Sequence, residues 1–273
     1  MHIKKMHINE ASDRCTSEEQ NNPQTKGKIM TKTKTQKLPD TATVLQDTFI
    51  SIVADASGSM DHLHATVIKG LNDFIAEQAK SPAVSKVSIV QFPACDGDPG
   101  IRSILKQTDV KKARPITPGD YIINGCTPLY DAIGLVIDKA DTRIAKRVAA
   151  GKAPESQVIV IFTDGGENAS RRYSQKDIFK LIDERKAQGW VFVFLGANQD
   201  SFETGGSVGF DAGNIMDFEA SEEGMAYALS TTSHSLRLLS VMPLESRFAV
   251  RDQIFSLGNN DADDDTDDDT DDA

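Results

Sequence analysis

Five oxygen-bearing residues stand at spacings that suit a metal ion. Asp55, Ser57 and Ser59 alternate along Asp55-Ala-Ser-Gly-Ser-Met60, and alternate side chains of an extended segment point to one side. Gly58 between the two serines permits the tight backbone that such convergence needs. Thr127 lies in Gly125-Cys-Thr-Pro-Leu129 just before a helical apolar pattern, and Asp164 in Thr163-Asp-Gly-Gly166 just after an apolar run. Neither His nor Cys is among the five. Hard oxygen donors of this kind suit Mg²⁺, Mn²⁺ or Ca²⁺ and argue against zinc or copper. Three of the donors are neutral hydroxyls, so a bound ion would keep much of its charge and favour an incoming carboxylate. The plainer reading makes Asp55 a helix cap and the serines a turn; it leaves Thr127 and Asp164 as coincidence.

The surrounding apolar pattern says what must position these groups. Residues 49–54 form a continuous strand signal ending at Asp55, 87–92 a second closed by Pro93, and 101–105 a more polar one expected at a sheet edge. The run 158–162 is β-branched without alternation, as in a strand covered on both faces. Residues 190–195, ended by Gly196, and 215–218 complete the strands. Helical spacing links Leu63, Val67, Leu71, Phe74 and Ile75, then Leu129, Ile133, Val136, Ile137 and Ala140 after Pro128. It recurs at Ile178, Leu181 and Ile182, stopping near Gly189, and at Met225, Leu229, Leu236 and Leu239. Strand and helix in alternation predict an α/β protein. The expected sheet is open, doubly wound and mostly parallel, Rossmann-like, with one antiparallel edge strand and helices on both faces. Such sheets bind ligands at the carboxyl ends of their strands, where Asp55 and Asp164 fall.

Composition bounds the rest. The 273 residues carry a net charge of −11, of which nine aspartates between Asp261 and Asp272 supply most. The remaining body is almost neutral and is no phosphate-neutralising surface, so nucleic acid is not an expected partner. The 3 cysteines lack metal-ligand or redox spacing and suit a reducing compartment. No run reaches the ~20 apolar residues of a membrane helix, nor does the start resemble a signal peptide. A soluble, cytoplasmic protein is expected, with residues 1–43 disordered, a domain over 44–245, and an extension over 246–273 ending in a disordered aspartate-rich tail.

In order and at strand ends, Asp55-x-Ser57-x-Ser59, Thr127 in Gly-x-Thr-Pro-Leu, and Asp164 in Thr-Asp-Gly resemble the metal-ion-dependent adhesion site of von Willebrand factor type A (VWA) domains, in the intracellular bacterial or phage form. The likeness covers about residues 44–239. It implies that Ser57, Ser59 and Thr127 bind the ion directly, that Asp55 and Asp164 bind it directly or through water, and that an acidic side chain of a partner completes the shell. Cys126 stands where many relatives have glycine. The implied function is a non-catalytic, divalent-metal-dependent protein-binding module. Intracellular bacterial relatives work with AAA+ ATPases, kinases or phosphatases, and these are the partners the resemblance suggests. The alternatives are a metal-dependent phosphohydrolase or a nucleotide-binding α/β domain. Against them, no basic residue falls within 55–60 or 163–166, and neither a phosphate loop nor Gly-x-Gly-x-x-Gly is present.

Other residues invite readings of their own. His62 and His64 are expected on the exposed side of the first helix, Cys126 as a small buried thiol rather than a redox switch, and Asp96-Gly-Asp98 as a turn. Asp131, Glu167 and Asn168 lie near the site in sequence, with a supporting role left open. Arg171-Arg172 and Glu222-Glu223 read as solvated surface. The aspartate tail reads as a solubilising end; a sharper reading has its carboxylates occupy the ion in competition with a partner.

Overall fold

A computed structural model describes residues 46–92, 101–197 and 200–257. The two ends of the chain and Asp96–Asp98, with the expectations attached to them, lie outside these residues. Six strands form one sheet: β1 (Thr48–Asp55), β2 (Val84–Phe92), β3 (Arg102–Asp109), β4 (Ser156–Thr163), β5 (Val191–Ala197) and β6 (Ile215–Phe218). Their order is β3-β2-β1-β4-β5-β6; only β3 runs antiparallel, and it lies at the edge. This is the doubly wound, mostly parallel α/β sheet that the strand and helix pattern predicts.

Burial explains the composition of each strand. Every residue of β1 and β5 is buried, as crossover helices on both faces require, whereas β3 alternates exposed and buried pairs. One apolar core joins α1 (His64–Gln78) and α5 (Glu222–Val241) to the face carrying Ile50, Ile52, Val158 and Val160. The other joins α2 (Leu129–Ala149) and α3 (Gln175–Lys186) to the opposite face, with Val53, Ile159 and Ile161. The period-2 alternation of each strand thus serves two cores.

Two helices have no clear apolar signature in the sequence. The seven-residue α4 (Ser201–Ser207) contains two glycines and is started by Asp200, whose carboxylate accepts from the Glu203 N–H at 2.8 Å. The second, α6 (Leu244–Val250), is anchored by a buried arginine. Arg247 donates to Thr48 Oγ1 and Ser156 Oγ, both at 3.1 Å, and to backbone carbonyls of Ser240 and Met242. Packing therefore continues past residue 245, through a 3-10 turn whose Ile254 is fully buried.

Strand order reverses between β1 and β4, which pair directly. A crevice opens at such a switch point, at the carboxyl ends of the two strands. Asp55 ends β1 and Thr163 ends β4.

Candidate metal centre

Asp55 is fully buried. Its Oδ1 accepts the Ser57 N–H at 2.8 Å and its Oδ2 the Thr163 hydroxyl at 2.5 Å. Asp55 thus closes a turn onto the Ser57 N–H and does not cap the helix that follows, whose N-cap position is Ser57. Ser57 is extended (φ −67, ψ 166), and the chain then enters a 3-10 turn over Gly58–Leu63. That bend brings Ser57 Oγ within 3.1 Å of Ser59 Oγ, and Ser59 Oγ donates to Asp164 Oδ1 at 2.7 Å. Four of the five sequence-derived residues thus lie in one hydrogen-bonded chain across the switch point.

Thr127 joins them through backbone contacts. Gly58 N–H donates to the Gly125 carbonyl at 3.3 Å and Asn124 N–H to the Ala56 carbonyl at 2.8 Å, stitching the two loops together. Gly125 has φ 88, a conformation that favours glycine. Thr127 N–H donates to Asn168 Oδ1 at 2.8 Å while Asn168 N–H donates to the Thr127 carbonyl at 3.1 Å. A Cβ added to Gly165 would stand 3.7 Å from Thr127 Oγ1, so the hydroxyl lies against the turn that carries Asp164.

The residues left open in sequence prove to be scaffolding. Buried Asp131 accepts the N–H groups of Arg171, Arg172 and Tyr173 at 2.8–3.0 Å. Glu167 accepts from Tyr130, Ala169 and Ser170 backbone N–H groups at 2.6–3.0 Å. Together they pin the loop after β4 to the start of α2. Tyr121, fully buried, donates its hydroxyl to the Asp55 carbonyl; nothing local in the sequence signals that role.

The histidines serve the backbone. His62 is exposed, with Nδ1 2.8 Å from the Ser59 carbonyl and Nε2 3.3 Å from that of Ala220. His64 departs from its expected exposed position: it is half-buried, its Nε2 2.7 Å from the Tyr121 carbonyl and its ring stacked on Tyr121. Cys126 corrects another expectation. It is half-buried and disulfide-bonded, not a free thiol, which removes the support that cysteine usage lent to a reducing compartment.

Electrostatically the cluster is short of positive charge. Burial pushes the Asp55 carboxyl up to about 6, against hydrogen bonds from Thr163 and Ser57 that lower it and with the Asp164 charge adding to the rise. Asp164 Oδ2 is buried with no hydrogen-bond partner. A buried, unpartnered carboxylate oxygen is costly, and a hard cation held by these oxygens would relieve it. The donor set therefore fits a divalent ion. Among the described residues there is no group of three or more His, Cys, Asp and Glu that could hold one instead, and no helix is long and apolar enough to cross a membrane.

No protein-family model and no curated protein matches the sequence. Among solved structures, the fold is similar to the pilus adhesin SpaC from Lactobacillus rhamnosus GG, with a TM-score of 0.54 and 13% identity over 71% of this chain and 30% of that one. It is also similar to manganese-loaded Plasmodium vivax TRAP protein, with TM-score 0.47, 14% identity and 73% of each chain covered. The SpRpn10 VWA domain gives TM-score 0.44 and 13% identity over 69% of this chain and 95% of that one. The chain spans about a third of the adhesin's length. At such identities the likeness concerns the fold.

Proposed function

We propose that this chain is a protein-binding module of the VWA kind, which holds a divalent cation, Mg²⁺ or Mn²⁺ or Ca²⁺, on Asp55, Ser57, Ser59, Thr127 and Asp164 and uses it to capture an acidic side chain of a protein partner. The observation that carries the reading is the buried, unpartnered Asp164 Oδ2 beside the Ser57–Ser59 hydroxyl pair at the switch point. A cation held there would offer an open coordination position to a carboxylate. The chain's own residues orient the donors, through Thr163, Tyr121 and Asn168.

Two further features favour binding over catalysis. No Lys or Arg side chain is hydrogen-bonded to these five residues among those described, so nothing cradles a phosphate. Exposed apolar side chains, Ile122 (42%) on the loop leading to Thr127 and Phe202 (52%) in the first turn of α4 after β5, lie on loops and turns at the same end of the sheet. A metal flanked by apolar anchors suits a protein interface. The AAA+ ATPase, kinase or phosphatase partners suggested by the family resemblance are of this protein class.

Calorimetric titration with Mg²⁺ and Mn²⁺ tests the reading. The wild type should bind one ion, and Ser57→Ala with Ser59→Ala, or Asp164→Ala, should weaken binding about a hundredfold by loss of oxygens that hold the ion directly or through water. Unchanged affinity in both variants would overturn it.

A further inference from the structure

On the α2 side, the β1–β3 half of the sheet borders an open groove of about 710 Å³ between α2 and β3. Its floor is unusual. Ser51 pairs with Ser88, and Ser103 pairs with Val90 two residues further along β2, so three serines line the groove on the face whose neighbours Val53 and Val90 enter the α2 core. Hydroxyls stand where a sheet face under a helix carries apolar side chains. At the rim Gln107 has φ 47, a left-handed conformation uncommon for a residue with a Cβ, and donates its N–H to Ser88 Oγ at 2.9 Å.

The walls are basic. Lys106 comes from β3, and Lys139 and Lys146 from α2, two turns apart and so on one side of the helix. None of the three ammonium groups has a hydrogen bond or ion pair among the described residues. The groove's other cations are already engaged. Arg143 lies 3.4 Å over the Phe49 ring and 3.5 Å from Glu155, and Arg172 pairs with Asp138 at 3.3 Å. Asp138, the one carboxylate in the lining, also accepts the Tyr173 hydroxyl at 2.5 Å. Three unpaired ammonium groups over a hydroxyl floor call for a ligand with several negative charges spaced along its length.

We infer that the groove docks the aspartate-rich segment of this same chain, residues 258–273. Lys139 and Lys146 are about 10 Å apart along the helix, which is the span of about three residues of extended chain. Towards its end the segment carries Asp265, Asp267, Asp269 and Asp271 at alternate positions, on one side of an extended chain, and these cover that distance. The described chain ends at Leu257, after a turn that packs against Asn214 beside β6, where Ile254 N–H donates to Asn214 Oδ1 at 2.8 Å. From there the remaining 16 residues reach about 50 Å when extended. That exceeds the roughly 24 Å width of a six-stranded sheet and leaves enough to round its edge. Tethering raises the local concentration of the segment into the millimolar range, which suffices for weak, screened contacts.

The test uses the full chain and a variant in which all nine tail aspartates are replaced by asparagine, each in EDTA and again with Mg²⁺. A fluorescein-labelled peptide of residues 259–273 is titrated with each and followed by anisotropy. The neutral-tail protein should bind it, at least about tenfold more tightly than the wild type, whose own tail occupies the groove. Raising NaCl from about 50 to about 300 mM should weaken binding about tenfold or more. K106E/K139E/K146E in the neutral-tail background should abolish it, whereas K139R/K146R should keep it. Binding that survives the triple reversal, binding that requires Mg²⁺, or no binding at low salt would each overturn the proposal; the second would place the tail on the metal centre.

Discussion

Replacing Asp55 by Asn should stabilise the metal-free protein while destroying its metal affinity. Asp55 is fully buried, and burial pushes its carboxyl from 3.8 up to about 6. A carboxyl raised in the folded state adds stability that is fully present below its unfolded value and is lost as pH rises through the folded one. Without metal, ionised Asp55 therefore destabilises the fold by about 3 kcal/mol above pH ~6.5 relative to strongly acid conditions. Asn removes that charge and keeps the shape. One nearby donor must be reoriented, and Thr163 can do so, because its hydroxyl already lies 2.8 Å from the Gly165 carbonyl as a second acceptor. It can donate there and accept from the new amide, so the substitution costs at most about 1 kcal/mol in hydrogen bonding. Urea unfolding of both proteins in EDTA between pH 4 and 8 is the assay. The difference in stability, Asn variant minus wild type, should grow by roughly 2–3 kcal/mol across that range. Saturating Mg²⁺ should stabilise the wild type by about 2.7 kcal/mol at a hundred times its Kd and leave the variant unmoved. Parallel pH profiles in EDTA would refute the claim that burial of this carboxylate shapes the site.

Three further outcomes follow from the scaffold. Asn168→Ala removes the acceptor of the Thr127 N–H; Mg²⁺ affinity in calorimetry should fall about tenfold or more, with a stability loss near 1 kcal/mol. Asp131→Ala strands the N–H groups of Arg171, Arg172 and Tyr173. Calorimetric melting should drop by about 5–10 °C, from roughly 3 kcal/mol, and amide exchange should quicken at those three residues. Arg247→Ala removes the Arg247 hydrogen bonds to Thr48 Oγ1 and Ser156 Oγ and loosens α6. Chemical denaturation should show a loss of about 2–3 kcal/mol, with Mg²⁺ affinity unchanged because α6 lies away from the strands' carboxyl ends.

Much of this protein is legible in its sequence, for a local reason. Continuous apolar runs such as 158–162 and 190–195, and helical spacing from Val67 to Ile75, are set by periodicities of 2 and 3.6 that any window of residues displays. The convergence of the candidate site residues is legible because hydroxyls and carboxylates interrupt those runs where strands end. The short helices α4 and α6 escape because seven residues hold too few turns for a period, and α4 carries Gly205 and Gly206. What only the tertiary structure decides is everything that depends on which distant segments meet. The order β3-β2-β1-β4-β5-β6 puts Asp55 beside Asp164. It lets Tyr121 reach the Asp55 carbonyl 66 residues away, and places Asp131 under a loop 40 residues downstream. It also brings Ser51, Ser88 and Ser103 to the groove that Lys106, Lys139 and Lys146 line. Register and packing are properties of pairs far apart in the chain, and the free energy that selects them comes from burying two cores at once, so no single stretch of residues carries their signature.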